Sequence, residues 1–126
     1  MTMQGENYPR LSIRYLENAL HFLEQGDVEK AGEFLWGSMS AALKAVAARN
    51  GIPIQSHSQL RAFARRVADD TNEPGVWTDF VRAQHLHSNF YEASLEMEDV
   101  AREVDDIGRR VALLLQMAAE PADRGS

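Results

Sequence analysis

The sequence predicts an all-α protein, an antiparallel up-and-down bundle of about five helices. Apolar residues recur at i, i+3 and i+4 along most of the chain, and no segment alternates apolar with polar residues over several positions. Alanine is abundant, while the glycine and proline signals gather at a few breaks. Each element follows from these patterns in turn.

The first helix is expected to begin near Pro9, a favourable first-turn residue. Ile13, Leu16, Ala19, Leu20 and Leu23 supply its apolar stripe, Gly26 ends it and Asp27 caps the next helix. That second helix runs from about Val28 to Arg49, with Val28, Ala31, Leu35, Ser38, Ala42 and Ala45 along one side. Its many small residues permit close approach of another helix, and Asn50-Gly51 and Pro53 stop it. Ser56 and Gln59 form a capping-box pattern ahead of a shorter third helix. Leu60, Phe63, Ala64 and Val67 face its core side, and Arg61, Arg65 and Arg66 its other side. Residues 69–75 read as a loop. A fourth helix is expected from about Val76 to Ala93 and a fifth from about Glu96 to Ala118. Met97, Val100, Val104, Ile107, Val111, Leu114, Leu115 and Ala118 form the inner face of the fifth. Short connections make successive helices antiparallel.

At 126 residues the chain is the size of one domain, with an ordered core expected over about 9–118. It contains 0 cysteines, which excludes disulfides, thiolate zinc sites, iron–sulfur clusters and a cysteine nucleophile. No apolar run has the length of a membrane span, and the N-terminal residues lack the pattern of a signal peptide, so a cytoplasmic protein is expected. A net charge of -6 argues against a whole face given to nonspecific nucleic-acid binding. It leaves room for a local basic cleft. Apart from Lys30 and Lys44 the cations are arginines, which suit planar recognition of phosphate or carboxylate.

The fourth helix carries the densest functional vocabulary, from Arg82 through Glu92. With Arg82 at 0°, His85 falls at about 300°, Asn89 at about 340° and Glu92 at about 280°, so these four share one face. Phe80, Ala83, Leu86, Phe90 and Tyr91 occupy the apolar arc. His87, at about 140°, falls inside that arc and reads as a core histidine with a hydrogen-bonded ring. Phe90 is placed in the middle of the inner face. The polar face is either solvated or the lining of a cleft that handles phosphate. His85 and His87 point about 160° apart, which does not suit a shared metal, and no metal or other cofactor is expected. His21 and His57 stand alone. Phosphate-loop, nucleophile-elbow and zincin motifs are missing.

Two stretches resemble the PaREP family of small helical proteins, within the wider HEPN (higher eukaryotes and prokaryotes nucleotide-binding) superfamily. One is Leu23-Glu24-Gln25-Gly26-Asp27 with Lys30 to Gly37 and Ala42-Leu43-Lys44-Ala45. The other, more specific, is Leu86-His87-Ser88-Asn89-Phe90-Tyr91-Glu92, similar to the family's L-H-x-N-F-Y-E signature. Ser56-His57 at the head of the third helix also fits, and the likeness extends from about Arg10 to Leu115. The resemblance implies a HEPN-like bundle that dimerises. Many HEPN proteins are metal-independent ribonucleases with an R-x4-6-H motif, and many others are non-catalytic. Arg82 and His87 match that motif's spacing. Ala83 departs from the often polar residue after the arginine, and Asn89 stands where some members carry tyrosine.

Two readings follow. In the first, the chain is a non-catalytic homodimeric module that binds a nucleotide, RNA or a partner protein through His85, Asn89, Tyr91 and Glu92. In the second, it is a metal-independent endoribonuclease, a toxin or defence effector. His87 would then transfer the proton of the ribose 2′-hydroxyl and Arg82 would stabilise the charge on the phosphorane.

Overall fold

In the computed structural model, which describes residues 4–88 and 97–120, five helices follow one another. They are α1 (Gln4–Glu24), α2 (Val28–Arg49), α3 (His57–Thr71), α4 (Pro74–Ser88) and α5 (Met97–Ala119). There is no strand among the described residues. The all-α bundle expected from the periodicity is the observed architecture.

α1 starts five residues before Pro9, which therefore lies inside the helix. Proline forfeits one i→i−4 bond, and in the second turn that loss is confined to a helix end. The buried line of α1 keeps Leu16, Ala19 and Leu23 of the expected stripe but not Ile13 and Leu20. Ser12 and Ala19 are fully buried, whereas Ile13 and Leu20 are 48% and 47% exposed. The cause is the close approach of α2. Ser12 Oγ donates to the Ser38 carbonyl at 2.8 Å, and Ser38 Oγ donates to the Ser12 carbonyl at 2.8 Å. A Cβ built on Gly37 would lie 2.8 Å from Tyr15 Cδ2. Small residues therefore win over large ones at this crossing: Gly37 and Ser38 of α2 are covered by α1 of the same chain, while Gly32 faces Leu86 of α4. Gly26 makes the reversal between the two helices at φ 78°, and Asp27 caps α2 by accepting from the Lys30 amide at 3.1 Å.

Ser56 caps α3 as expected, accepting from the Gln59 amide at 3.1 Å. The Gln59 side chain reaches back to the amide of Gln55 rather than that of Ser56. The loop expected over 69–75 is shorter than its composition suggests. α3 continues to Thr71, Asn72 closes it in the left-handed region at φ 58°, and Pro74 opens α4. Leu60, Phe63, Ala64 and Val67 of α3 meet Val76, Phe80, Ala83 and Leu86 of α4 in one core. Leu35, Met39, Leu43 and Val46 of α2 join it, with Val100, Val104, Ile107, Val111 and Leu114 of α5. Leu16 of α1 rests against Gly108 of α5.

Candidate functional site

His87 is a surface residue, and its expected place in the core is corrected. The ring nitrogen Nδ1 lies 2.8 Å from Glu33 Oε1 on α2, and the two side chains are 45% and 43% exposed. The helical wheel gives the residue's direction about α4 but not the neighbour it meets. At the end of α4 the arc around His87 opens onto the polar edge of α2, beyond Leu86, which is buried. An ionised carboxylate only accepts hydrogen bonds, so Nδ1 is the donor and Nε2 is the basic nitrogen of the neutral ring. Trp36, one turn along α2 from Glu33, stacks on the His87 ring at 5.7 Å and 21°. The ring plane is thus fixed by a carboxylate at one edge and an indole on one face.

Trp36 is the middle of a longer chain of rings. Its centroid is 5.4 Å from buried Phe80 and 5.8 Å from exposed His57 at the head of α3. Phe80 in turn stacks on Trp77 at 5.8 Å. Over Trp77 lie two guanidinium groups of α3, Arg61 at 4.8 Å and Arg65 at 4.3 Å from the ring centroid. The α2–α3–α4 seam therefore runs from a histidine–carboxylate pair at one end to a pair of arginines at the other.

The opposite flank of α4 faces α5 and is ionic. Asp79 is buried and accepts from Arg110 Nε at 2.9 Å, and Arg110 also reaches Glu73 at 3.5 Å. A Cβ on Gly75 would run into that guanidinium. Arg82 pairs with Asp106 at 3.8 Å. Beside them the Glu103 carboxyl is pushed above its ordinary range by burial, against the pull of Arg82 and with help from Asp106 and Asp79. Its Oε1 is buried with no hydrogen-bond partner among the described residues.

Arg82 and His87 thus leave α4 about 140° apart and are held by different helices, Arg82 by α5 and His87 by α2. His85 is exposed on α4. Asn89, Phe90, Tyr91 and Glu92 lie outside the described residues. Glu33, Trp36, Trp77, Arg61 and Arg65 were not singled out as site residues by the sequence. The i, i+4 spacing of Arg61 and Arg65 and the one-turn spacing of Glu33 and Trp36 were visible. Their meeting with α4 depends on which helix packs beside which.

These features define a class: a five-helix protein with an exposed histidine–carboxylate–indole cluster where α4 ends against α2. The chain belongs to the archaeal PaREP1/PaREP8 family, whose pattern matches residues 7–111. It is similar in fold to a Sulfolobus solfataricus protein of known crystal structure, with a TM-score of 0.75 at 21% identity over 85% of this chain and 95% of that one. No curated protein matches it.

Proposed function

We propose that the chain is a cytoplasmic, non-catalytic, homodimeric HEPN-like module of one domain, and that it binds a nucleotide or single-stranded RNA where His87 meets Trp36. The observation that carries this reading is the ring stack itself. His87 extends Trp36 outward as an exposed aromatic platform, held edge-on by Glu33. An unpaired base stacks on such a platform without sequence-specific contacts, with the π-face as the recognition element. The separation of Arg82 from His87 favours binding over cleavage, because each is occupied by a carboxylate of a different helix. Residues 89–92 follow this end of α4 in sequence and complete the proposed binding set, while His85, exposed but about 160° around the helix from His87, lies off the platform.

Fluorescence polarisation of a labelled single-stranded RNA tests the reading. Wild-type protein binds, and His87→Ala weakens binding by about fivefold or more, the lower end of a lost stacking contact. A His87→Ala variant that binds like wild type removes the site. A wild type that ignores RNA and mononucleotides alike points to a partner protein instead.

The ribonuclease reading has one supporting observation. With Nδ1 held by Glu33, His87 presents Nε2 as a proton acceptor. Cleavage of RNA in EDTA to 2′,3′-cyclic phosphate ends, lost in Arg82→Ala and His87→Ala, is its signature. In that case Arg82 would act across the dimer. Ile13 and Leu20, two turns apart on α1 and half exposed, are candidates for the dimer surface. Sedimentation giving only a monomer at micromolar concentration would remove the dimer from the proposal.

A further inference from the structure

We propose that Arg61 and Arg65, ordered over Trp77, form a phosphate clamp that extends the His87 site into a track for single-stranded RNA. The inference rests on the nucleic-acid reading above and adds a second contact zone to it.

Charge is the first argument. The other arginines of α3, α4 and α5 are each within ion-pair distance of a carboxylate: Arg66 with Asp70, Arg82 with Asp106, Arg102 with Asp99, Arg109 with Asp105, and Arg110 with Asp79. Arg61 and Arg65 have no such partner among the described residues, although the chain carries a net charge of -6. Like charges at i, i+4 on a helix repel each other. Here the Trp77 ring offsets that repulsion by attracting both guanidiniums at once. The result is an exposed pair of cations with no carboxylate in ion-pair distance among the described residues.

Order is the second argument. A guanidinium already laid on an indole loses less rotamer freedom when it meets a phosphate, and its planar fork suits that anion. Reach is the third. The rings of Trp77 and His87 are joined through buried Phe80 and half-buried Trp36, so the surface path between them is set by the rise of α4. Trp77 and His87 are ten residues apart on α4, about 15 Å of helix rise. At the roughly 3.4 Å per nucleotide of a stacked strand, that spans about four nucleotides, more than a mononucleotide covers. Stacking on His87 needs an unpaired base, which selects a single strand over a duplex.

The test measures binding of a labelled oligouridine of roughly 12 nucleotides, within the range of known single-strand site sizes, against salt. Each single-strand phosphate contact contributes about 0.7 to the slope of log K against log salt. Arg61→Gln/Arg65→Gln should lower that slope by about 1.4, and Arg61→Lys/Arg65→Lys should keep it. Between about 50 and about 200 mM salt the wild type then loses about sevenfold more affinity than the glutamine pair. If the glutamine pair melts early, each single variant serves, with a slope change of about 0.7. Uridine monophosphate, bound at His87 alone, should be insensitive to the glutamine pair. An unchanged slope and affinity in the glutamine variants, while His87→Ala still weakens binding, would overturn the clamp and leave the His87 site standing. Equal weakening for uridine monophosphate would overturn the track, since one nucleotide would then touch both zones. A wild type that binds no RNA would overturn clamp and site together.

Discussion

Replacing Arg110 with methionine should destabilise the protein strongly, because it strands a buried carboxylate. The Asp79 side chain is 12% exposed and that of Arg110 17%, so both charges are largely withdrawn from water and rely on each other at 2.9 Å. Removing the arginine strands Asp79, and breaking a buried pair in this way costs about 3–5 kcal/mol. The remaining solvent access places the expected loss at the lower end, about 3 kcal/mol. For a chain of 126 residues the entropy of unfolding is about 0.26 kcal/mol/K. The melting point should then fall by about 11 °C. Asp79→Leu leaves Arg110 with Glu73 at 3.5 Å, half in solvent, so its cost should be smaller. The double variant Asp79→Leu/Arg110→Met should regain most of the loss, because apolar replacement of both partners removes the stranded charge. Urea and thermal melts of the four proteins form a complete cycle. A fall under about 4 °C for Arg110→Met, equivalent to about 1 kcal/mol, would refute the reasoning, as would a double variant no better than Arg110→Met.

Glu103→Gln should raise the melting point at pH 7. Burial raises the folded-state pKa of Glu103, so the folded protein binds the proton more tightly and loses stability as pH rises through the carboxylate range. The advantage of glutamine should vanish below about pH 4, where Glu103 is protonated in both states, and a pH-independent difference would contradict this. Ser12→Ala should cost about 0.5–1.5 kcal/mol in a urea melt, since the Ser38 carbonyl loses the Ser12 hydroxyl while Ser38 Oγ keeps the Ser12 carbonyl as its acceptor. His87→Ala should lower stability by about 1 kcal/mol or less, the worth of a half-exposed hydrogen bond. Any larger fall in its melting point would count against the exposed placement of the ring.

Periodicity is enough for the class of fold, for α2 to the residue, and for the core faces of α3 and, from Val100 onward, of α5, the side chain of Met97 lying outside the described residues. It erred where the cause lay in another helix. Ile13 and Leu20 have the spacing of a core stripe, yet the close crossing of Ser12 on Ser38 turns them outward. The loop expected over 69–75 shrank because Asn72 ends one helix in a single left-handed residue and Pro74 can begin the next. His87 illustrates the limit for sites. A helical wheel gives its direction about α4, but whether that direction ends in leucines or at Glu33 depends on how far α2 extends past the core. Trp36, Trp77 and the arginines of α3 are separated by up to 41 positions in sequence, and only packing makes them neighbours.

The chain of rings has an optical consequence. The chain has 2 tryptophans, Trp36 and Trp77, and both belong to the α2–α3–α4 seam, each in contact with Phe80. Tryptophan emission, excited at the red edge where Tyr8 and Tyr15 of α1 absorb little, therefore reads that seam and has no emitter of its own in α1 or α5, while far-ultraviolet circular dichroism reads all five helices. The two signals melt together if the protein unfolds in one step. Should α3, fastened through Phe63, Val67 and the Trp77 stack, peel away first, the emission would change while most of the helical signal persisted. The molecule thus carries a built-in probe of whether its seam opens ahead of the bundle, with no label attached.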